Sequence, residues 1–137
     1  MIREAGFTDL KDVMILTRQL SKETTNLGVF SLGAREISRR ARGIVTLVYE
    51  KDKVIVGTVS YLMYPRMTGG DYCDLADLVV DVNHRNSGIG RELVEYVINK
   101  AKEIGCYKVI LSCKEEVKEF YEKIGFKHVE NQMRLDL

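Results

Sequence analysis

The apolar positions of this chain change their period along its length, and the changes divide it into elements. Residues 1–4 read as a short strand. Leu10, Val13, Met14, Thr17 and Leu20 then share one face at helical spacing, with Thr8 or Asp9 placed to cap the helix. Residues 24–30 show no period and read as loop. Ser31 stands where a second helix would be capped, and Gly43 stops that helix after Arg42. The period then falls to two. Runs at 44–50 and 54–64, separated by Lys51-Asp52-Lys53, read as a hairpin. Pro65 and Gly69-Gly70 break the chain before a further run at 73–82.

Helical spacing returns from Ser87 or Gly88 to Ile104. Leu93, Val94, Val97, Ile98, Ala101 and Ile104 share a face, and Gly105 sits where a helix ends. A strand at 108–113 follows. A last helix at 115–124 turns Val117, Phe120, Tyr121 and Ile124 inward and closes at Gly125, and 126–137 alternates as one more strand. The order β-α-α-β-β-β-α-β-α-β predicts a single α/β (α+β) domain over 1–137. Its one mixed sheet is mostly antiparallel, with a single parallel βαβ unit. That unit joins strands 73–82 and 108–113 by a right-handed crossover. Ligands of such units collect beyond the carboxyl ends of the strands, here near 82–91.

Composition narrows the partners. The net charge is +1, from 21 basic and 20 acidic residues, which disfavours a nucleic-acid binder working by bulk charge. No apolar stretch is long enough for a bilayer, and the amino terminus lacks a secretion pattern, so a cytoplasmic protein with no membrane partner is expected. Cys73, Cys106 and Cys113 lack Cys-x-x-Cys spacing, and only His84 and His128 accompany them. No metal site is expected, and the cysteines read as buried or half-buried small apolar residues.

The segment Arg85-Asn86-Ser87-Gly88-Ile89-Gly90-Arg91 lies between an apolar strand and an amphipathic helix. A helix amino end carries unpaired N–H groups and about half a positive charge, so it binds anions. Glycines at 88 and 90 remove the Cβ atoms that would hold a pyrophosphate away from those groups. Arg85 and Arg91 add charge at the rim. The segment is not the dinucleotide fingerprint, whose third glycine is replaced by Leu93, nor a P-loop, which needs Gly-Lys-Ser/Thr. A plain turn is the competing reading.

Arg85, Gly88 and Gly90 after the strand, together with Phe120-Tyr121-Glu122-Lys123-Ile124-Gly125-Phe126, resemble the GNAT superfamily of acyl-CoA-dependent N-acetyltransferases. The β/α order agrees along nearly the whole chain. Gly105 to Leu111, the Phe-Tyr-Glu-Lys run and Gln132-Met133-Arg134 are similar to glucosamine-6-phosphate N-acetyltransferases. Those enzymes carry a Glu where this chain has Ala76 and an acidic residue where it has Ser112.

The resemblance implies acetyl-CoA as cosubstrate and direct attack of a neutral amine on its thioester. Backbone groups of Leu78, Val79 and Val80 would receive the pantetheine and the thioester oxygen, and Arg85 to Arg91 the diphosphate. Tyr121 would donate to the leaving thiolate, with core packing as its alternative. Asp77 is the candidate base; alternation sets it on the face opposite Asp74 and Ala76, and a water chain to a backbone carbonyl competes with it.

Arg35, Arg39, Arg40 and Arg42 on the second helix are either a seat for an anionic acceptor or a solvated face salted by Glu36. Tyr61, Tyr64 and Arg66 either line the acceptor cleft or, for the tyrosines, pack in the sheet. The expected acceptor is a small-molecule amine such as an amino sugar phosphate. A protein N-acetyltransferase and a non-catalytic acyl-CoA sensor are the alternatives. The resemblance further implies a homodimer sharing carboxyl-terminal strands.

Overall fold

A computed structural model describes residues 1–20 and 29–137. One sheet holds five strands in chain order: β1 (Ile2–Glu4), β2 (Ile44–Lys51), β3 (Val54–Tyr64), β4 (Tyr72–Val80) and β5 (Lys108–Ile110). The first three pairings are antiparallel and β4–β5 is parallel, so the mixed sheet and its βαβ unit follow the sequence. The hairpin between β2 and β3 turns on Asp52 and Lys53, at φ 50° and 63°, the left-handed pair of a tight two-residue turn.

Four helices flank the sheet: α1 (Leu10–Thr17), α2 (Val29–Ala41), α3 (Ile89–Ile104) and α4 (Lys118–Ile124). α3 lays Leu93, Val94, Val97 and Ala101 on Leu47, Val59, Tyr61, Cys73 and Leu75. Removing side chains of this size from water is the main source of stability, about 1.5–3 kcal/mol each. α1 covers the other face, where Val13 meets Ala5 and Val48. Asp9 anchors the turn before α1 by accepting from Gly6 N–H at 2.7 Å and pairing with Arg3 at 2.7 Å, contacts that hold its carboxyl below the usual range.

Several boundaries differ from the sequence reading. α2 begins at Val29, so Ser31 lies inside it and caps nothing; of the predicted loop, 24–28 falls outside the described residues. α1 ends at Thr17 and buries Leu16 rather than Leu20. The helix at 115–124 opens with a 3₁₀ turn, Glu115–Val117, which leaves Val117 exposed.

β5 ends at Ile110, short of residue 113. The expected last strand is absent: 126–137 pairs with nothing among the described residues, and Val129, Met133, Leu135 and Leu137 stand exposed. A lone chain offers these side chains no surface to cover, and β propensity without packing does not hold a strand.

Candidate active site

β4 is longer than its parallel partner. The ladder runs Tyr72↔Lys108, Cys73↔Val109 and Asp74↔Ile110 and stops, while β4 continues to Val80. Past Asp74, the edge of β4 therefore faces a gap, and the main-chain groups on that edge have no strand partner. The gap is a fork between the two parallel strands. Its walls are Leu78, Val79 and Val80 on one side and residues 111–114 on the other; Val79 is buried and the other two half-buried.

A bulge sharpens the fork. Thr58 pairs with Val79 and Ser60 with Ala76, so β4 carries one residue more than β3 across this interval. Asp77 takes the left-handed conformation, φ 55°, that absorbs the extra residue. A non-glycine residue held there stores strain, a feature that gathers at functional sites. At the bulge the regular alternation of β4 is interrupted, and Ala76 and Asp77 are both exposed.

The strand leads into a short 3₁₀ turn, Val82–His84, capped by Asp81. The Asp81 carboxylate accepts from Asn83 N–H at 3.3 Å and lies 2.8 Å from His84 Nδ1, which draws its pKa below the ordinary value. Ser87 Oγ donates to the His84 carbonyl, and Asn86 and Gly88 turn the chain with φ 61° and 86°. α3 starts immediately after. Among the described residues no side chain caps its amino end, and its first intrahelical bond is Glu92 N–H to Gly88 C=O at 3.0 Å. The N–H groups of the first turn thus stay unsatisfied and open.

The two glycines of this turn do different work. Among the described residues a Cβ on Gly88 meets no atom within 4 Å, which leaves space beside it for a ligand. A Cβ on Gly90 lies 3.3 Å from the Phe120 ring and 3.5 Å from Val80, so this glycine lets α3 close on β4 and α4. Open space thus lies beside Gly88, whereas the Cβ position of Gly90 is taken up by packing against Phe120 and Val80.

The rim arginines are engaged. Arg85 donates to the Val80 carbonyl at 3.3 Å and to Gln19 at 2.8 Å; Arg91 pairs along α3 with Glu95 at 2.8 Å, in solvent where such pairs are weak. Arg85 ties the loop to the turn that follows α1, while Ile89 is buried under the sheet. Sequence reasoning missed Asp81 and the packing of Phe120 against Gly90. An Asp two residues before Asn83 was a readable turn cap, whereas the Phe120–Gly90 contact is tertiary.

Tyr121 stands on α4 behind the fork. It is 9% exposed, edge-to-face with Phe120 and Phe126 at 5.0 and 5.7 Å, and belongs to the core. Burial pushes its phenol up to about 12, with the nearby Cys113 thiol adding to the shift. It can hold a proton at any ordinary pH, and its neighbour Cys113 is exposed just beyond β5 rather than buried as expected.

Two of the α2 arginines, Arg39 and Arg40, are built into the fold, while Arg35 and the following Arg42 are exposed. Glu36, 3% exposed, accepts from Arg39 at 3.2 Å and Arg40 at 3.3 Å. Arg39 continues to Ser60 at 2.8 Å, and Ser60 to Thr46 at 3.1 Å; Arg40 reaches the Ala5 carbonyl at 2.7 Å and stacks over Phe7. Glu36 is a buried anchor, not the salt of a solvated face. Tyr61 is likewise core, while Tyr64 stacks on Tyr72 at the exposed end of the hairpin and Arg66 donates to Tyr107. No group of three or more His, Cys, Asp or Glu that could hold a metal occurs among the described residues.

Residues 15–126 match the acetyltransferase (GNAT) family. The chain is 37% identical over 134 residues to a glucosamine 6-phosphate N-acetyltransferase of Trypanosoma brucei brucei, covering 95% of this chain and 90% of that protein. The crystal structure of a Trypanosoma brucei acetyltransferase superposes with a TM-score of 0.92 at 36% identity, over 100% of this chain and 99% of that one. The glucosamine-6-phosphate N-acetyltransferase of Arabidopsis thaliana superposes with a TM-score of 0.90 at 29% identity, over 99% and 97%.

Proposed function

The chain belongs to the acetyltransferase (GNAT) family and is an acyltransferase; from that premise we propose that it moves the acetyl group of acetyl-CoA to the primary amine of an amino sugar, glucosamine 6-phosphate foremost. The observation that carries the cosubstrate reading is the uncapped first turn of α3 with free space beside Gly88, set at the end of a strand whose edge is open. The residues fit a nucleotide thioester. Gly88, Ile89, Gly90 and Arg91 offer main-chain N–H groups to a diphosphate, with Asn86, Ser87 and Arg85 shaping the rim. Leu78, Val79 and Val80 offer strand groups to an amide-bearing arm. The sugar acceptor is supported by the 37% identity to a relative that acts on glucosamine 6-phosphate.

Each chain residue has a task in the reaction. N–H groups on the open β4 edge stabilise charge developing on the thioester oxygen, worth about 3 kcal/mol per donor in comparable sites. Asp77, exposed at the bulge, draws the acceptor's ammonium to the fork. Tyr121 meets the leaving sulfur. A thiol ionises near roughly 8.5, whereas this phenol is pushed up to about 12. Burial thus makes Tyr121 a weaker acid than a free phenol, and full proton transfer from it is disfavoured. Tyr121 stabilises the thiolate by donating a hydrogen bond and keeps its proton.

Two further parts of the reading concern assembly and place. The exposed apolar residues Val129, Met133, Leu135 and Leu137 on an unpaired tail favour a homodimer in which a second copy covers them. The cytoplasm is its proposed compartment. The test is thiol release from acetyl-CoA with a panel of amines, glucosamine 6-phosphate among them. Release with the sugar phosphate and not with peptides is expected; release with peptides alone overturns the acceptor. CoA binding with no release for any amine replaces the enzyme by a sensor.

A further inference from the structure

We propose that the Asp74 carboxylate, at the last rung of the β4–β5 ladder, takes the proton that the acceptor's ammonium must lose before attack. The proposal rests on the acyl-transfer reading above.

Register fixes where this side chain stands. Directly paired residues of antiparallel strands share a face, and the pairs Ser60↔Ala76 and Leu62↔Asp74 put Asp74 and Ala76 on the face of Ser60. That is the face to which α2 brings Arg39, whose guanidinium bonds Ser60 at 2.8 Å. The neighbours Cys73 and Leu75 point the other way and pack beneath α3. Asp74 also pairs with Ile110, the final rung before the strands part, so its side chain stands where the fork opens.

The carboxylate is idle in the fold. Among the described residues it makes no ion pair and accepts no hydrogen bond, whereas Asp9 is bound by Arg3 and Asp81 by His84. Although Asp74 reaches solvent, the surrounding protein desolvates its carboxyl and raises its pKa, while partners lower those of Asp9 and Asp81. An unpaired, partly desolvated carboxylate attracts a cation and is a stronger base than one in water. Along β4 the next residue on this face before the bulge is the small Ala76. Same-face strand neighbours are about 7 Å apart, the span of an amine together with a bridging water. Asp77 sits inside the bulge, where its backbone holds the fork open.

The step balances as follows. One ammonium proton passes to Asp74 Oδ, directly or through that water. The freed nitrogen lone pair forms the C–N bond to the thioester carbon, and the C–S bond breaks. A second nitrogen proton goes to the sulfur, and Asp74 returns its proton to solvent.

The experiment compares Asp74→Asn, Asp74→Ala and Asp77→Asn with wild type, using acetyl-CoA and glucosamine 6-phosphate, with acetyl-CoA affinity measured for each. Asp74→Asn should lower kcat about 100-fold, the low end for a lost general base, while acetyl-CoA affinity stays unchanged. Added formate should restore part of the rate of Asp74→Ala and nothing to wild type, which a structural role does not explain. Full kcat in Asp74→Asn, or a loss carried by Asp77→Asn with no formate rescue of Asp74→Ala, overturns the assignment and leaves the acyl-transfer reading standing. A wild type that acetylates no amine overturns both.

Discussion

The carboxyl half of α2 and the amino end of α3 both set arginines on or beside a helix, and in the sequence both were candidate anion seats. Their polar groups have opposite fates. In α2, Arg39 and Arg40 converge on the buried Glu36 and go on to Ser60 and the Ala5 carbonyl. These donors are answered by the protein, and the cluster pins α2 to the sheet. At α3 the first-turn N–H groups have no capping side chain, and the space beside Gly88 is empty of protein. A fold can satisfy its own helix ends cheaply with Ser, Thr, Asp or Asn. A helix that begins with Gly88-Ile89-Gly90 leaves its donors for a ligand. The difference between structure and function here is whether a polar group already has its partner.

That contrast can be broken at either end. The largest effect is expected from Gly88→Val. The left-handed φ of 86° disfavours a branched residue, and the side chain enters the open space. Calorimetric affinity for acetyl-CoA should fall by at least about 100-fold, near 2.7 kcal/mol on the usual conversion. Unchanged affinity would return the loop to a plain turn. Next in size is Glu36→Leu, which strands two arginines. Because both keep part of their exposure, the loss should be about 2 kcal/mol, below that of a fully buried pair. Urea unfolding measures it, and acetyl-CoA affinity should not change. The smallest effect is expected from Tyr121→Phe: turnover falls about 10-fold with one hydrogen bond to the sulfur gone, near 1.4 kcal/mol, and stability scarcely moves. Equal turnover would leave Tyr121 a core aromatic.

The sequence was most informative where local chemistry decides. Left-handed turns were marked by Gly43, Gly88, Gly105 and Gly125, each at positive φ, and β3 was bounded correctly by its period. It was least informative where a residue's meaning depends on a distant partner. The burial of Glu36 required knowing that Arg39 meets Ser60. The role of Gly90 required the Phe120 ring. The bulge at Asp77 sets one extra residue of β4 against β3, which no local pattern announces, and it interrupts the alternation of that strand. The tail failed for a related reason: its alternation was legible, but a strand needs a neighbour, and the single chain supplies none.

The central claim is that the ligand's phosphates meet the main chain at the start of α3. A titration of the ¹⁵N-labelled protein with CoA, followed residue by residue through the amide resonances, tests it most directly. The account predicts the largest shifts at Gly88, Ile89, Gly90 and Arg91, a second set at Leu78 to Val80, and little change at Arg39 and Arg40. Shifts concentrated on α2 with a silent α3 turn would contradict it.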